Sequence, residues 1–322
     1  MNLLATLGAA ALAVLPLQLV SAADYPAKPI RAVLPMAPGG PADAAMRVVA
    51  QKLTERWGQQ VIVDNRAGAN GNIGTEIAAR AASDGYTLLL GVTGPMAINP
   101  ALYAKVSFDP VKDFAPVVMV KRQNYFLVAH PSVPANSMRE LVQLAKSGSY
   151  KLTQASSGIG SPAHLSGAML KTMTNIDFVH VPYRGAGPAL SAVLAGEASF
   201  MFIDVGVVTP HLGAGRVKLL AVVGPKRVAE LPNTPTLLEA GFPDLEPGGW
   251  SAIFVPAGAP MPIIDKLNTE VRSILKLPDV QKLLGSDGSE FGANTPEYVG
   301  AFLRSEIAKW KTAIKASGAR AE

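Results

Sequence analysis

The chain has 322 residues, of which 49% are apolar and 16% charged, and its formal net charge is +5. That length fits two domains of roughly 120–150 residues, and the apolar share excludes a disordered chain. No run of lysines or arginines concentrates the charge, which argues against nucleic acid as a partner, and the lack of cysteine excludes disulfides, thiolate metal sites and cysteine nucleophiles together.

Leu3 to Val20 is almost unbroken apolar sequence. Val20-Ser21-Ala22 and Ser21-Ala22-Ala23 follow it with the small residues of a signal-peptidase site. Residues 1–23 are therefore expected to be a signal peptide, with export of the remainder. No Lys or Arg precedes the apolar stretch, so a short membrane anchor stays open as a second reading.

From Ile30 the chain alternates short apolar runs with helical periods. Ile30–Leu34, Val61–Asp64 and Tyr86–Gly91 read as buried strands. Between the first two, Ala45, Val49, Leu53 and Trp57 share one face of a helix from about Asp43 to Trp57. Ile73–Ala82 reads as a second helix. This rhythm predicts a mostly parallel sheet with right-handed crossovers. Residues 94–116 hold several prolines and show no clear period. Pro116–Val120 and Tyr125–His130 are then two extended runs in succession, the signature of a crossing to a second lobe.

The second lobe repeats the pattern. Ser137-Met138-Arg139-Glu140 is a capping box that opens a helix to about Ser147. Lys151–Ala155 is a strand, and Ser161-Pro162 supplies an N-cap and N1 proline for a helix to Thr174. Phe178–Val181, Phe200–Ile203 and Lys218–Val223 read as strands, with a helix from Pro188 to Gly196 among them. A short helix near Pro235–Ala240 precedes Trp250–Val255, the return to the first lobe. Pro260–Leu275, Val280–Leu284 and Pro296–Ala316 read as helices packed on that lobe. The expected fold is α/β: two lobes, each a mostly parallel sheet flanked by helices, with a ligand cleft between them. The expected boundaries are 24–121 with 250–322 for lobe 1, and 122–249 for lobe 2.

Ligands of open α/β sheets sit beyond the carboxyl ends of strands. The loops there are Pro35–Asp43, Asn65–Asn72, Gly91–Gly94, Ser156–Ser161, Pro182–Gly187 and the turn at Asp204, and most of them are glycine-rich. Glycine lets the backbone approach a ligand, and a helix N-terminus offers free N–H groups and partial positive charge. Several such loops facing one cleft suit a carboxylate without an arginine. Individual residues keep two readings. Asp43 is a first-turn acid or a ligand contact, Thr93 a turn cap or a hydroxyl donor. His164 is a structural histidine or a contact. Arg184 pairs with a second carboxylate or with a surface acid, and Asp204 accepts from a ligand or fixes its loop.

Enzyme signatures are missing. There is no G-x-S-x-G elbow, no H-E-x-x-H and no phosphate-binding G-x-x-x-x-G-K-[ST]. Gly68-Ala69-Asn70-Gly71-Asn72-Ile73-Gly74 has the wrong spacing for a dinucleotide fingerprint. The four histidines are not spaced as metal ligands, and Ser161 with His164 lacks an orienting acid. Neither catalysis, metal nor cofactor is expected.

Several long motifs together resemble the tripartite tricarboxylate transporter receptor family, also called the Bug or TctC family of periplasmic binding proteins. They include Pro35-Met36-Ala37-Pro38-Gly39-Gly40-Pro41-Ala42-Asp43, Asp64 to Gly74, Ser83-Asp84-Gly85-Tyr86-Thr87-Leu88, His180-Val181-Pro182-Tyr183-Arg184-Gly185 and Val255-Pro256-Ala257-Gly258. The resemblance runs from about Tyr25 to the C-terminus. It implies a class II periplasmic binding fold that closes on a small carboxylate and delivers it to a two-component membrane permease. The protein would be a periplasmic monomer. An alternative is a ligand sensor whose closed form docks on a signalling receptor. Carried over by position, lobe 1 contacts would come from Ala37, Pro38, Gly39, Gly40, Ala69, Asn70, Gly71 and Thr93. Lobe 2 contacts would come from Ser157, Gly160, Ser161, His164, Tyr183 and Asp204. Met36 stands where the family usually carries an aromatic, a change that bears on pocket width.

Overall fold

Runs such as Leu88-Leu89-Leu90 have no polar face to offer water, and they fold as strands covered on both sides. The computed structural model describes residues 25–122, 125–183, 185–224, 226–228, 231–242, 245, 248–284 and 294–320. The expected signal peptide, 1–23, lies outside the described residues.

The first sheet contains β1 (Ile30–Leu34), β2 (Val61–Asn65), β3 (Thr87–Val92), β4 (Phe114–Arg122) and β10 (Trp250–Pro256), in the order β2-β1-β3-β10-β4. The second contains β5 (Tyr125–Ala129), β6 (Thr153–Ser156), β7 (Val179–Pro182), β8 (Phe200–Asp204) and β9 (Lys218–Val223), in the order β7-β6-β8-β5-β9. The two orders are the same pattern written twice. In each sheet four strands run one way and one is reversed: β10 is antiparallel to β3 and β4, and β5 to β8 and β9. Each reversed strand is the first the chain makes after passing between sheets, from β4 to β5 and from β9 to β10.

Helices cover both faces. They are α1 (Pro41–Trp57), α2 (Asn72–Ala79), α3 (Asn99–Leu102), α4 (Met138–Ser147), α5 (Pro162–Thr174), α6 (Ala186–Leu194), α7 (Val205–Leu212), α8 (Met261–Leu275), α9 (Pro278–Leu284) and α10 (Pro296–Ser317). The caps follow the chemistry of the sequence. Ser137 Oγ accepts from Glu140 N, Ser161 Oγ from His164 N, and Thr295 Oγ1 from Tyr298 N.

Three segments differ from the expectation. Residues 94–102, read as proline-broken, form a π-helical turn (Gly94–Ile98) running into α3, because Pro95 and Pro100 occupy first-turn positions where no N–H is needed. Helix α7 was not anticipated; Asp204 caps it by accepting from Gly206 N at 2.8 Å. The short helix expected near Pro235–Ala240 is a set of turns, with Thr236 bridged to Val222.

Helix α10 does more than cover the first sheet. It packs on β4 and also on α5, and Leu165 of α5 shares an apolar cluster with Val299, Leu303 and Trp310. Buried Glu306 of α10 accepts from the indole N–H of both Trp250 (2.9 Å) and Trp310 (3.0 Å). The outer edge of β4 is closed by side chains. Asn294 accepts from Met119 N and donates to Met119 O, both at 2.7 Å, while Asn268 donates to Val117 O at 2.7 Å.

Candidate functional site

A cavity of about 400 Å³ opens between the two sheets. From the first sheet it is lined by Met36, Pro41 and Ala42 after β1, by Asn70, and by Val92–Pro95 after β3. From the second come Ser157 and Ile159–Pro162 after β6. The segments that cross between sheets add Lys121, Tyr125 and Gly249–Ser251.

Two long helices start at this cavity. The N-cap of α1 is Gly40, which has no side chain to occupy the first-turn N–H groups, and Pro41 and Ala42 are on the wall. Helix α5 starts at Ser161 and Pro162, both also on the wall. Two positive helix ends facing one space give it a preference for anions.

Each rim has its own clamp. On the β1–α1 loop, Asp43 is 5% exposed and fully engaged: Oδ2 accepts from Gly39 N (3.0 Å) and Arg47 Nε (2.9 Å), Oδ1 from Asn65 Nδ2 (2.9 Å). The Arg47 hydrogen bond is the main cause that lowers the Asp43 pKa to about 2, aided by Gly39 and Asn65 and opposed by burial. On the β6–α5 loop, two imidazoles do the work. His164 and His180 stack with centroids 4.0 Å apart. Gly160 N donates to His164 Nδ1 (3.1 Å), and His180 Nε2 lies 2.7 Å from Ser156 Oγ, the hydroxyl that accepts from Gly158 N. Burial first, then the neighbouring His164 and Lys171, pushes the His180 pKa down to about 4; burial and Lys171 also lower that of His164. Lys171 is itself paired with Asp177.

Of the residues expected at the ligand, Asn70, Thr93, Ser157, Gly160 and Ser161 line the cavity. Ala37, Pro38, Gly39, Gly40, Asp43, Ala69, Gly71, His164, Tyr183 and Asp204 are not among its lining residues. Several of these shape it from behind. Gly71 (φ 91°) packs on Pro95, and Tyr183 N is bonded to Ser156 O. Asp204 stands opposite Tyr125 in the β5–β8 register; burial foremost, with this carboxylate's charge, raises the Tyr125 phenol above its ordinary range. Arg184 lies outside the described residues.

Thr93 is on the wall, yet its Oγ1 accepts from Trp250 N at 2.8 Å and so joins β3 to β10. Sequence reasoning missed Lys121, Tyr125 and Trp250 as site residues. They sit on crossing strands, and the contact of Trp250 with Thr93 spans 157 positions. Gly160 marks where the two sides meet: a Cβ there would stand 2.2 Å from Leu102 Cδ2, and its φ is +75°.

Paired sheets of equal strand order with a cavity between them define a fold of the periplasmic-binding-protein class. The periplasmic binding protein BugD shares it at a TM-score of 0.76, with 32% identity over 92% of this chain and 100% of that one. R. palustris Rpa4515, solved with adipate, matches at 0.79, with 34% identity, covering 92% and 99%. MatC (Rpa3494) from Rhodopseudomonas palustris, solved with bound malate, matches at 0.75, with 31% identity, covering 90% and 100%. Among curated relatives, Protein BugT of Bordetella pertussis (strain Tohama I) is 33% identical over 94% of this chain and 93% of its own. Residues 45–319 match the tripartite tricarboxylate transporter family receptor (TctC), and the chain belongs to that family.

Proposed function

We propose that the chain is an exported, periplasmic solute receptor that captures a small organic carboxylate and hands it to a membrane permease of the tripartite tricarboxylate type. In this reading residues 24–121 with 250–322 form one lobe and 122–249 the other, and the molecule acts as a monomer. The observation that carries it is the cavity of about 400 Å³ between the sheets, into which the uncapped start of α1 and the start of α5 both open. Such a site holds a carboxylate through backbone N–H groups, and closing the lobes excludes water and strengthens those bonds. Adipate and malate in the related structures are ligands of that kind.

The test is calorimetric titration of the purified chain with mono-, di- and tricarboxylates, paired with small-angle scattering. One acid should bind and reduce the radius of gyration. Absence of binding by every acid, after unfolding and refolding to remove any resident ligand, sinks the proposal. Delivery is tested separately: uptake of the bound acid by cells should require both this receptor and a permease of this type.

A further inference from the structure

Resting on the receptor reading above, we propose that the ligand is a monocarboxylate with an apolar body, an aryl or alkyl acid, rather than a polycarboxylate, hydroxy acid or amino acid. The walls decide this. No acidic side chain lines the cavity among the described residues, so an amino acid's ammonium group would have no counter-charge there. Among the described lining residues the one charged side chain is Lys121, and its ammonium donates at 2.6 Å to the carbonyl of Leu284, the last residue of α9. One of its N–H groups is therefore already engaged with protein.

Two uncharged polar groups on the first-sheet side already have protein partners. Thr93 Oγ1 accepts from Trp250 N, and Asn70 Nδ2 donates to Asn99 Oδ1 at 3.0 Å. Hydroxyl groups on a ligand would find these partners engaged with protein. Opposite them, beside the hydroxyls of Ser157, Ser161 and Tyr125, the wall also offers carbon. Met36 from one side and Ile159 from the other are 41% and 59% exposed, large apolar side chains left open at the cavity. Trp250 turns its one polar atom away to Glu306 and presents carbon. A ligand body that covers these groups gains from removing them from water. A second carboxylate there loses its hydration without an equal replacement.

The experiment uses the purified chain, unfolded in guanidinium and refolded to strip resident ligand, and titrated calorimetrically with phenylacetate, hexanoate, adipate, malate and glutamate. Phenylacetate or hexanoate should bind at least tenfold more tightly than malate and glutamate. Hexanoate should exceed adipate, which differs from it by the second carboxylate. Ile159→Asn, at an exposed side chain, should weaken the hexanoate complex about tenfold while leaving the melting temperature unchanged. Tightest binding of malate or glutamate overturns the inference and leaves the receptor reading standing. Adipate above hexanoate, with the advantage lost in Lys121→Met, overturns it in the same way and assigns the second carboxylate to that ammonium. No binding by any of the five acids, nor by a wider set of carboxylates, overturns the receptor reading together with it.

Discussion

The two rims of the cavity are tied down by opposite chemistry. The β1–α1 loop is held by an ionised carboxylate, Asp43, that gathers an amide, a guanidinium and a side-chain amide. The β6–α5 loop is held by two neutral imidazoles, His164 and His180, that bond to the uncharged groups Gly160 N and Ser156 Oγ. A charge-based clamp is strong while its partners are in place and indifferent to protons until strongly acid conditions. An imidazole clamp is weaker and begins to fail much closer to neutrality. The lesson is that similar strand–loop–helix joints in one molecule do not share one pH response.

The largest expected effect comes from breaking the carboxylate clamp. Asp43→Ala takes the shared acceptor from Gly39 N, Arg47 Nε and Asn65 Nδ2, leaving Arg47 only Asn65 Oδ1 and Asn65 only Met36 O, and should cost about 3 kcal/mol. A drop in melting temperature of several degrees checks it; a variant as stable as the parent would show that the loop stands without its acid. Next comes Gly160→Ala, which forces a side chain into a left-handed backbone and against Leu102. It should cost about 2 kcal/mol from strain and overpacking, read as weaker ligand binding, because the strained contact lies between the two sides. Unchanged affinity would mean that the loop yields without moving the sides apart.

The smallest effect is the sharpest for the comparison. His180 has a folded pKa of about 4 against an ordinary value of 6.5, so the unfolded chain takes up the proton first as pH falls. The stability contributed by the neutral imidazole is complete above 6.5 and is lost on descending toward about 4. The contribution of Asp43 is complete above 3.8 and is lost only as pH falls through about 2. Melting temperatures at pH 7.5 and 5.5 should therefore differ more for the parent chain than for His180→Gln. Equal slopes would remove the contrast between the rims.

Much of the scaffold was legible because its signals are local. Ser137 with Glu140, Ser161 with Pro162 and Thr295 with Pro296 each mark a helix start within four residues, and each forms the cap its chemistry suggests. The cavity residues that follow strands directly, Thr93, Ser157 and Gly160 among them, were legible for the same reason. Trp250 and Tyr125 were not. Their place depends on which strand lies next to which, and nothing near Trp250 in the chain announces Thr93 or Glu306. The helical run at 94–102 was hidden by a different cause: proline reads as a breaker unless the start of the helix is already known.

The asparagines beside β4 carry one more consequence. An edge strand offers alternate N–H and C=O groups to any passing chain, and that row is where proteins stick to copies of themselves. Here Asn294 answers both groups of Met119, as a neighbouring strand would, and Asn268 takes the carbonyl of Val117. Two amide side chains thus stand in for a sixth strand. At Val117 and Met119 the sheet ends without inviting another strand to join.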